Sequence, residues 1–471
     1  MKKYRAESLD ALRGFAIFMM VLSGAICAEV LPAWMSHAQV PPGQGFVPAI
    51  PGITWVDLVF PFFLFSMGAA FPFSTGSRLE RGESRLRLSL NALWRGVKLA
   101  FFAIFIANVN PWALSHAADT PETPFMWAMT LLAFALLFPM FLRLPGRPGR
   151  AVRIVVQAGG IIAGIAQMWL LSLYYGKPFD FYRSNIIILV LANMAVFGTI
   201  IYIMTFRKPL ARIAVLPPLM AILLCSDADG SWQQAVFNWS PAPWLYRFMF
   251  LKYLFIIIPG TIAGEYLRKW ITGAGTTSAA RKDYPTAFIL IIAVALLVVN
   301  LVCLFGRHLV LNLFVSSALV IASVMIGRRL PDDRNVILNL VKAGGYLLVT
   351  GLFFEAFQGA IRKDPSTFSY YFVTAGLAFY CLAAFVMTCD IYRWHKALAP
   401  LTMSGKNPMI AYVATNMFTL PLLDLCHIGD NFVRAYFAQT PLLGFVHGFV
   451  LTAIACMIAM FFTRIKWFWR T

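Results

Sequence analysis

Residues 285–306 read PTAFILIIAVALLVVNLVCLFG, with no charged residue, and after Arg307 and His308 residues 309–327 read LVLNLFVSSALVIASVMIG, again uncharged. About 20 apolar residues wound as an α-helix span the ~30 Å hydrocarbon core of a bilayer. A soluble protein has no use for two such runs separated by two residues. The stretch therefore reads as a transmembrane hairpin, and the rest of the chain is read outward from it.

The chain has 471 residues, of which 60% are hydrophobic and 13% charged, with a mean hydropathy of +0.73. Soluble domains carry roughly 25% charged residues, so this chain lacks the polar surface to face water throughout. In lipid, only helices or closed barrels satisfy the backbone. Barrel strands would alternate over about 10 residues, whereas the apolar runs here are continuous. The expected fold is all-α: a polytopic transmembrane helical bundle forming one integral membrane domain over 1–471. Its spans fall at 9–31, 53–74, 95–113, 125–142, 151–175, 184–205, 210–226, 249–268, 285–306, 309–327, 335–357, 367–388, 406–423 and 443–463. That is about 14 spans, or about 12 if one adjacent pair is miscounted.

Charge orients the bundle. The net charge is +19 from 39 Lys and Arg against 20 Asp and Glu. With the N-terminus in the cytoplasm, alternation leaves only Lys177, Arg183, Arg247, Lys252, Arg307, Arg362, Lys363 and Arg434 outside. Positive residues collect on the cytoplasmic side, so both termini are expected there. The basic excess then reads as topology anchors, and no nucleic-acid partner is expected. The basic start Met1–Arg5 leads into a run too long for a signal peptide. Outside, residues 32–52 hold five prolines and no Lys or Arg, and 114–124 hold Asp119 and Glu122. Cys27, Cys225, Cys303, Cys381, Cys389, Cys426 and Cys456 form no C-x-x-C pair and lie mostly in apolar runs. They read as small hydrophobes rather than metal ligands or disulfides, and the scattered histidines outline no metal site.

Two constellations carry chemistry. Asp10 and Arg13, three apart at the inner end of the first span, share a helix face and pair there or shape a cofactor entrance. His37 lies in the proline-stiffened outer connection and Asp57 at the outer end of the next span. A carboxylate beside an imidazole fixes its tautomer and supports the imidazolium, the arrangement of a general base. The competing reading is an ordinary loop histidine with Asp57 capping its helix.

The segments SLDALRG (8–14) and DLVFPFFLFSMG (57–68) resemble the heparan-α-glucosaminide N-acetyltransferase family and its bacterial relatives. IPGTIAG (258–264), KDPSTFSY (363–370) and GKNPMIAY (405–412) resemble further segments of that family, while 140–245 has no counterpart. The resemblance thus implies a core in 1–142 and 249–471, with 143–248 as additional spans. It implies a membrane acetyltransferase of the bacterial cytoplasmic (inner) membrane. The acyl group would pass from cytoplasmic acetyl-CoA to an extracytoplasmic sugar or amino sugar, and a homodimer is an assembly open to it. His37 matches the position of the family's catalytic histidine, Asp57 supports it, and Ser23 stands where the family has a catalytic asparagine. Asn407, Lys406, Arg13 and Asp10 are the expected contacts of the coenzyme A donor. Lys363, Ser369 and Glu355 are the expected contacts of the acceptor, the carboxylate suiting an amine. The alternative is a multi-span transporter of a small solute or glycan precursor, which usually shows paired half-repeats with broken helices; no such repeat is evident here.

Overall fold

The computed structural model describes residues 6–110, 112–113, 123–143, 149–273, 283–428 and 435–470. The basic start Met1–Arg5, the acidic pair Asp119 and Glu122, and Arg147, Arg281, Lys282 and Arg434 lie outside them. The protein is an all-α polytopic membrane protein. Among the described residues twelve helices are long and apolar enough to cross a bilayer: α1 (Glu7–Ala25), α2 (Trp55–Glu80), α3 (Arg85–Asn108), α4 (Pro124–Phe141), α5 (Ala151–Tyr175) and α6 (Ile186–Met204). After the shorter α7 (Pro209–Leu224) come α8 (Phe248–Thr272), α9 (Tyr284–Phe305), α10 (Leu309–Gly327), α11 (Asp332–Ala356) and α12 (Phe368–Ile391). Next are α13 (His395–Lys406) and α14, a broken helix formed by Pro408–Ala414, a π-helical turn Thr415–Thr419, and Leu420–Leu425. The last is α15 (Pro441–Arg464). Thr123, Asn185, Asp283 and Thr440 accept backbone N–H groups at the starts of α4, α6, α9 and α15, as helix N-caps do.

The bundle has two ends, and contacts fix which segments share each. Glu7 at the start of α1 pairs with His395, and Asn407 binds the backbone beyond α15 at Trp467. The start of α1 and the end of α15 therefore lie at one end, termed proximal. At the distal end the backbone beyond α1 donates from Cys27 to the Gly444 carbonyl near the start of α15.

The same reasoning recovers two crossings that the length criterion misses. α6 begins beside Ala103 near the distal end of α3 and ends with Tyr202 against Gly76 and Arg268. α8 begins with Tyr253 packed on Phe60 and Tyr371 and ends with Arg268 paired to Glu80. The two helices run in the same direction, so residues 205–247, including α7, carry the chain back. α12 and α15 likewise run the same way, and α14 supplies the return between them. The 12 long helices and these two shorter ones together meet the expected total of about 14.

Arg212 holds α7 in place although it is fully buried. It donates to Thr205 and to the Thr261 hydroxyl (2.8 Å), pairs with Glu265 (2.9 Å) and lies over the Tyr202 ring. The α9–α10 hairpin carries its own clasp. Asn300 donates to Ser316 (3.0 Å), Ser316 to Asn312 (2.9 Å) and Asn312 to Asn300 (3.2 Å). All three are buried, and each satisfies a polar group of the next in lipid.

The family-like segments meet one another in pairs. α1 crosses α13 so closely that a Cβ on Gly14 would sit 1.8 Å from the Leu401 carbonyl oxygen, and one on Gly405 would sit 1.9 Å from that of Asp10. Thus the glycine of SLDALRG and the glycine of GKNPMIAY admit each other's backbones. IPGTIAG of α8 packs in the same manner on FSMG of α2, the helix whose first turn carries Asp57.

Candidate functional site

At the distal end Asp57 occupies the first turn of α2 and is wholly buried. One carboxylate oxygen accepts from Thr54 N–H (2.9 Å) and Ala38 N–H (3.3 Å). The other lies 2.7 Å from His37 Nδ1. A carboxylate only accepts, so Nδ1 is the donor of this bond and Nε2 is the ring nitrogen turned away from Asp57. Sequence reasoning left open whether Asp57 caps its helix or serves the histidine; the geometry has it do both, one oxygen for each.

The loop holding His37 is fixed by polar contacts. Thr54 donates to the Ser36 carbonyl (2.7 Å), and the buried Gln39 amide donates to Ile50 (2.9 Å) and Gly52 (3.3 Å). Gly52 N–H reaches the Ile361 carbonyl (2.8 Å), and the Arg362 guanidinium reaches Pro48 (3.1 Å). The loop is thereby tied to the turn Arg362–Thr367, which is closed by reciprocal bonds between those two residues.

That turn delivers Lys363. Its Nζ lies 3.0 Å from His37 Nδ1, 3.2 Å from Nε2 and 3.8 Å from Asp57 Oδ1. An ammonium almost equidistant from both ring nitrogens is off the lone-pair axis of Nε2 and leaves it open. The imidazole side chain is 38% exposed, enough for a partner to approach. Burial pushes the Lys363 ammonium below its ordinary 10.5, while Asp57 and Asp364 pull the other way. Tyr370, last residue of KDPSTFSY, donates to the Asp57 main-chain carbonyl (2.7 Å) and so locks α12 to the start of α2.

The other expected site residues are placed elsewhere. Ser23 lies near the distal end of α1 with its hydroxyl bonded to Met20 O (2.8 Å), and no hydrogen bond joins it to the cluster among the described residues. Ser369, 1% exposed, donates to the Gly351 carbonyl (2.8 Å) and pins α12 to α11. Glu355 is buried in an ion pair with Arg307 and accepts from Ile361 N–H, so its charge is already matched. Asp10 and Arg13 pair at 3.7 Å, and Arg13 reaches the Gly405 carbonyl (3.4 Å) at the proximal end, beside Lys406. Asn407 is fully buried; its amide donates to Trp467 O (2.7 Å) and accepts from Trp469 N–H (3.3 Å). It fastens the tail to the bundle, and both ends of the amide are engaged there. Tyr370 and Gln39 were missed as candidates; only the position of Tyr370 inside a family-like segment pointed to it.

Between the two ends lies a narrow apolar cavity of about 30 Å³ bounded by α1, α2, α3, α6 and α14. Its wall begins at Met20 and Phe60, one turn from Ser23 and Asp57, and includes Leu99 and Phe102 of α3. Among the described residues no group of histidine, cysteine and carboxylate side chains is arranged to hold a metal.

The fold and cluster define a polytopic helical membrane protein with a histidine–aspartate–lysine cluster at one end of its bundle. The chain belongs to the family described as Domain of unknown function (DUF5009), whose profile matches residues 5–267, an interval that includes 143–248. It is similar to heparan-alpha-glucosaminide N-acetyltransferase of Homo sapiens, with 34% identity over 106 residues, and to that of Mus musculus, with 42% over 106 residues. Each match covers 22% of this chain and only 14% of the mammalian protein.

Proposed function

We propose that this protein is a membrane acetyltransferase that moves the acetyl group of acetyl-CoA onto a sugar or amino sugar at the distal end of the bundle. The observation that carries the reading is the His37–Asp57–Lys363 cluster, supported by the partial likeness to two N-acetyltransferases. The donor supplies an acyl carbon activated as a thioester. His37 Nε2 takes the proton of the attacking amine or hydroxyl, and the departing thiolate receives a proton in turn. Asp57 stabilises the imidazolium that forms.

Lys363 completes the charge arithmetic. At rest the cluster holds one negative carboxylate, one neutral imidazole and one ammonium. During attack the imidazole gains a positive charge and the acyl oxygen a negative one. An ammonium next to a nascent imidazolium is repelled by it and attracted by that oxygen. Lys363 therefore favours the transition state where its ammonium turns from the ring onto the acyl oxygen, which is how preorganised charge accelerates a reaction.

In this reading the proximal end faces the cytoplasm, and the donor arm follows the apolar cavity along Leu99, Phe102, Met20 and Phe60. The sidedness rests on the concentration of Lys and Arg at that end. The expected arrangement of a core in 1–142 and 249–471 with additional spans in 143–248 is part of the same reading, as is the inner membrane of a bacterium as its site.

Purified protein incubated with acetyl-CoA and glucosamine tests the proposal. Release of free CoA with formation of acetylated sugar, lost in His37→Ala of unchanged thermal stability, is the expected result. Full activity in that variant would remove His37 from the reaction. Solute uptake into proteoliposomes with no CoA release would replace the reading by a transporter.

A further inference from the structure

A second concave site lies at the proximal end, on the bundle's periphery. Lys98 of α3, Arg143 after α4, Arg153 of α5 and Arg470 of the tail line one cleft of about 170 Å³. A single water needs only ~10–15 Å³. The cations come from four separate segments, and the tail brings them together: Arg143 N–H donates to Phe468 O (2.9 Å) and Arg470 N–H to Phe141 O (2.8 Å). Among the described residues no carboxylate lines the cleft, and Lys98, Arg143 and Arg153 form no ion pair.

Topology alone does not require this arrangement. Positive residues satisfy the charge rule wherever they sit on the cytoplasmic side, and spread over loops they repel one another less. Converging into one hollow, they raise each other's energy unless an anion joins them. Arginine side chains bind phosphate through paired N–H groups that match its oxygens. The remaining lining is largely apolar: Phe141, Leu142 and Val156. Next to Arg153 on α5, Val152 (53%) and Val155 (70%) are exposed on the outer surface of the helix.

We propose that this cleft binds a phosphate-bearing anion, and that the apolar surroundings favour the headgroup of an anionic phospholipid over a soluble phosphate. The acyl chains would continue along the outward face of α5. Residues flanking a membrane surface attract anionic lipid electrostatically, and here the hollow adds shape to charge. The site lies at the opposite end from His37 and stands whether or not the acetyltransferase reading holds.

Native mass spectrometry of the full chain, released from nanodiscs containing equal phosphatidylglycerol and phosphatidylcholine, tests this. The wild type is expected to retain phosphatidylglycerol in preference to phosphatidylcholine. The double variant Arg143→Gln/Arg153→Gln is expected to lose that preference by at least about tenfold, with thermal stability in detergent checked alongside. Equal retention of the two lipids by the wild type, or undiminished preference in a folded double variant, would overturn the proposal. A parallel arm adds millimolar inorganic phosphate or ADP. Failure of both to displace the lipid supports the headgroup, and displacement by either would overturn that choice of source.

Discussion

Lys363 Nζ lies 3.0 Å from His37 Nδ1 across a sequence separation of 326 residues. Two loops on the same end of the bundle have to be tied together for that contact to exist, and the Gly52–Ile361 and Arg362–Pro48 hydrogen bonds tie them. If the ammonium stabilises charge on the acyl oxygen, Lys363→Met should lower kcat by about 10²–10³ with KM for acetyl-CoA little changed. Lys363→Arg should recover part of the loss. Steady-state kinetics on the three proteins decides; a change confined to KM would return Lys363 to a substrate-binding role.

The pH dependence follows from the burial of that amine. Its pKa lies below the ordinary 10.5, so the ammonium on which the proposed mechanism relies is lost as pH rises through the lowered value. The alkaline limb of kcat should therefore fall before pH 10.5 in the wild type. Arginine stays protonated, so Lys363→Arg should move that limb upward. For stability the slope has the same sign as for a carboxylate whose pKa is lowered on folding. The unfolded chain binds this proton more tightly, so burial of the ammonium costs stability at lower pH. That cost is relieved as pH rises from the lowered pKa toward 10.5.

Asp57→Asn should impair both function and folding. The amide keeps the shape but loses the charge that supports an imidazolium, and it accepts more weakly from Thr54 and Ala38 N–H. Hydrogen bonds to charged groups are worth about 1.5–3 kcal/mol. A fall in Tm together with a fall in kcat is expected, whereas His37→Ala should lower kcat alone. Thermal unfolding of the two variants in one detergent separates these outcomes.

The α1–α13 crossing predicts a sharp contrast between glycines. Gly14→Ala or Gly405→Ala places a methyl under 2 Å from a backbone oxygen, and overpacking of this kind costs typically about 1–3 kcal/mol or more. Gly24→Ala, near the other end of α1, meets nothing within 4 Å and should leave the yield of monodisperse protein unchanged. Size-exclusion profiles of the three variants check this.

Removing the buried guanidinium that anchors α7 is expected to be severe. Arg212→Ala leaves Glu265 unpaired and Thr261 without its donor, and breaking a buried pair from one side costs about 3–5 kcal/mol. Arg212→Ala/Glu265→Ala should recover part of the loss. A single variant as stable as the wild type in a detergent-resistance assay would show that α7 is held by packing instead.

Much of this architecture was legible because lipid imposes a length on apolar segments. α9, an uninterrupted run of uncharged, mostly apolar residues, is unmistakable from residues 285–306 alone. α13 was not, because its charged and apolar residues are mixed and it lies flat against α1, so no run of sufficient length marks it. Gly14 and Gly405 were legible as parts of segments but not as partners, since close approach belongs to two helices at once. His37 and Asp57 were legible because both had to fall at the same end of the bundle. Asn407 and Glu355 were legible as polar residues but not in the contacts they make. Composition shows that a polar group exists, whereas only the folded chain shows that Trp467, Trp469, Arg307 and Ile361 have already satisfied it.

The central claim is best tested by transfer measured with sidedness in proteoliposomes. Labelled acetyl-CoA is supplied only at the face bearing the N-terminus, whose position is set by protease protection of an N-terminal tag, and glucosamine only at the opposite face. The account predicts acetylated sugar on the His37 side, stoichiometric with CoA left on the donor side, and neither product with His37→Ala. Acetylated sugar formed equally well by His37→Ala, or only when donor and acceptor share the N-terminal face, would contradict it.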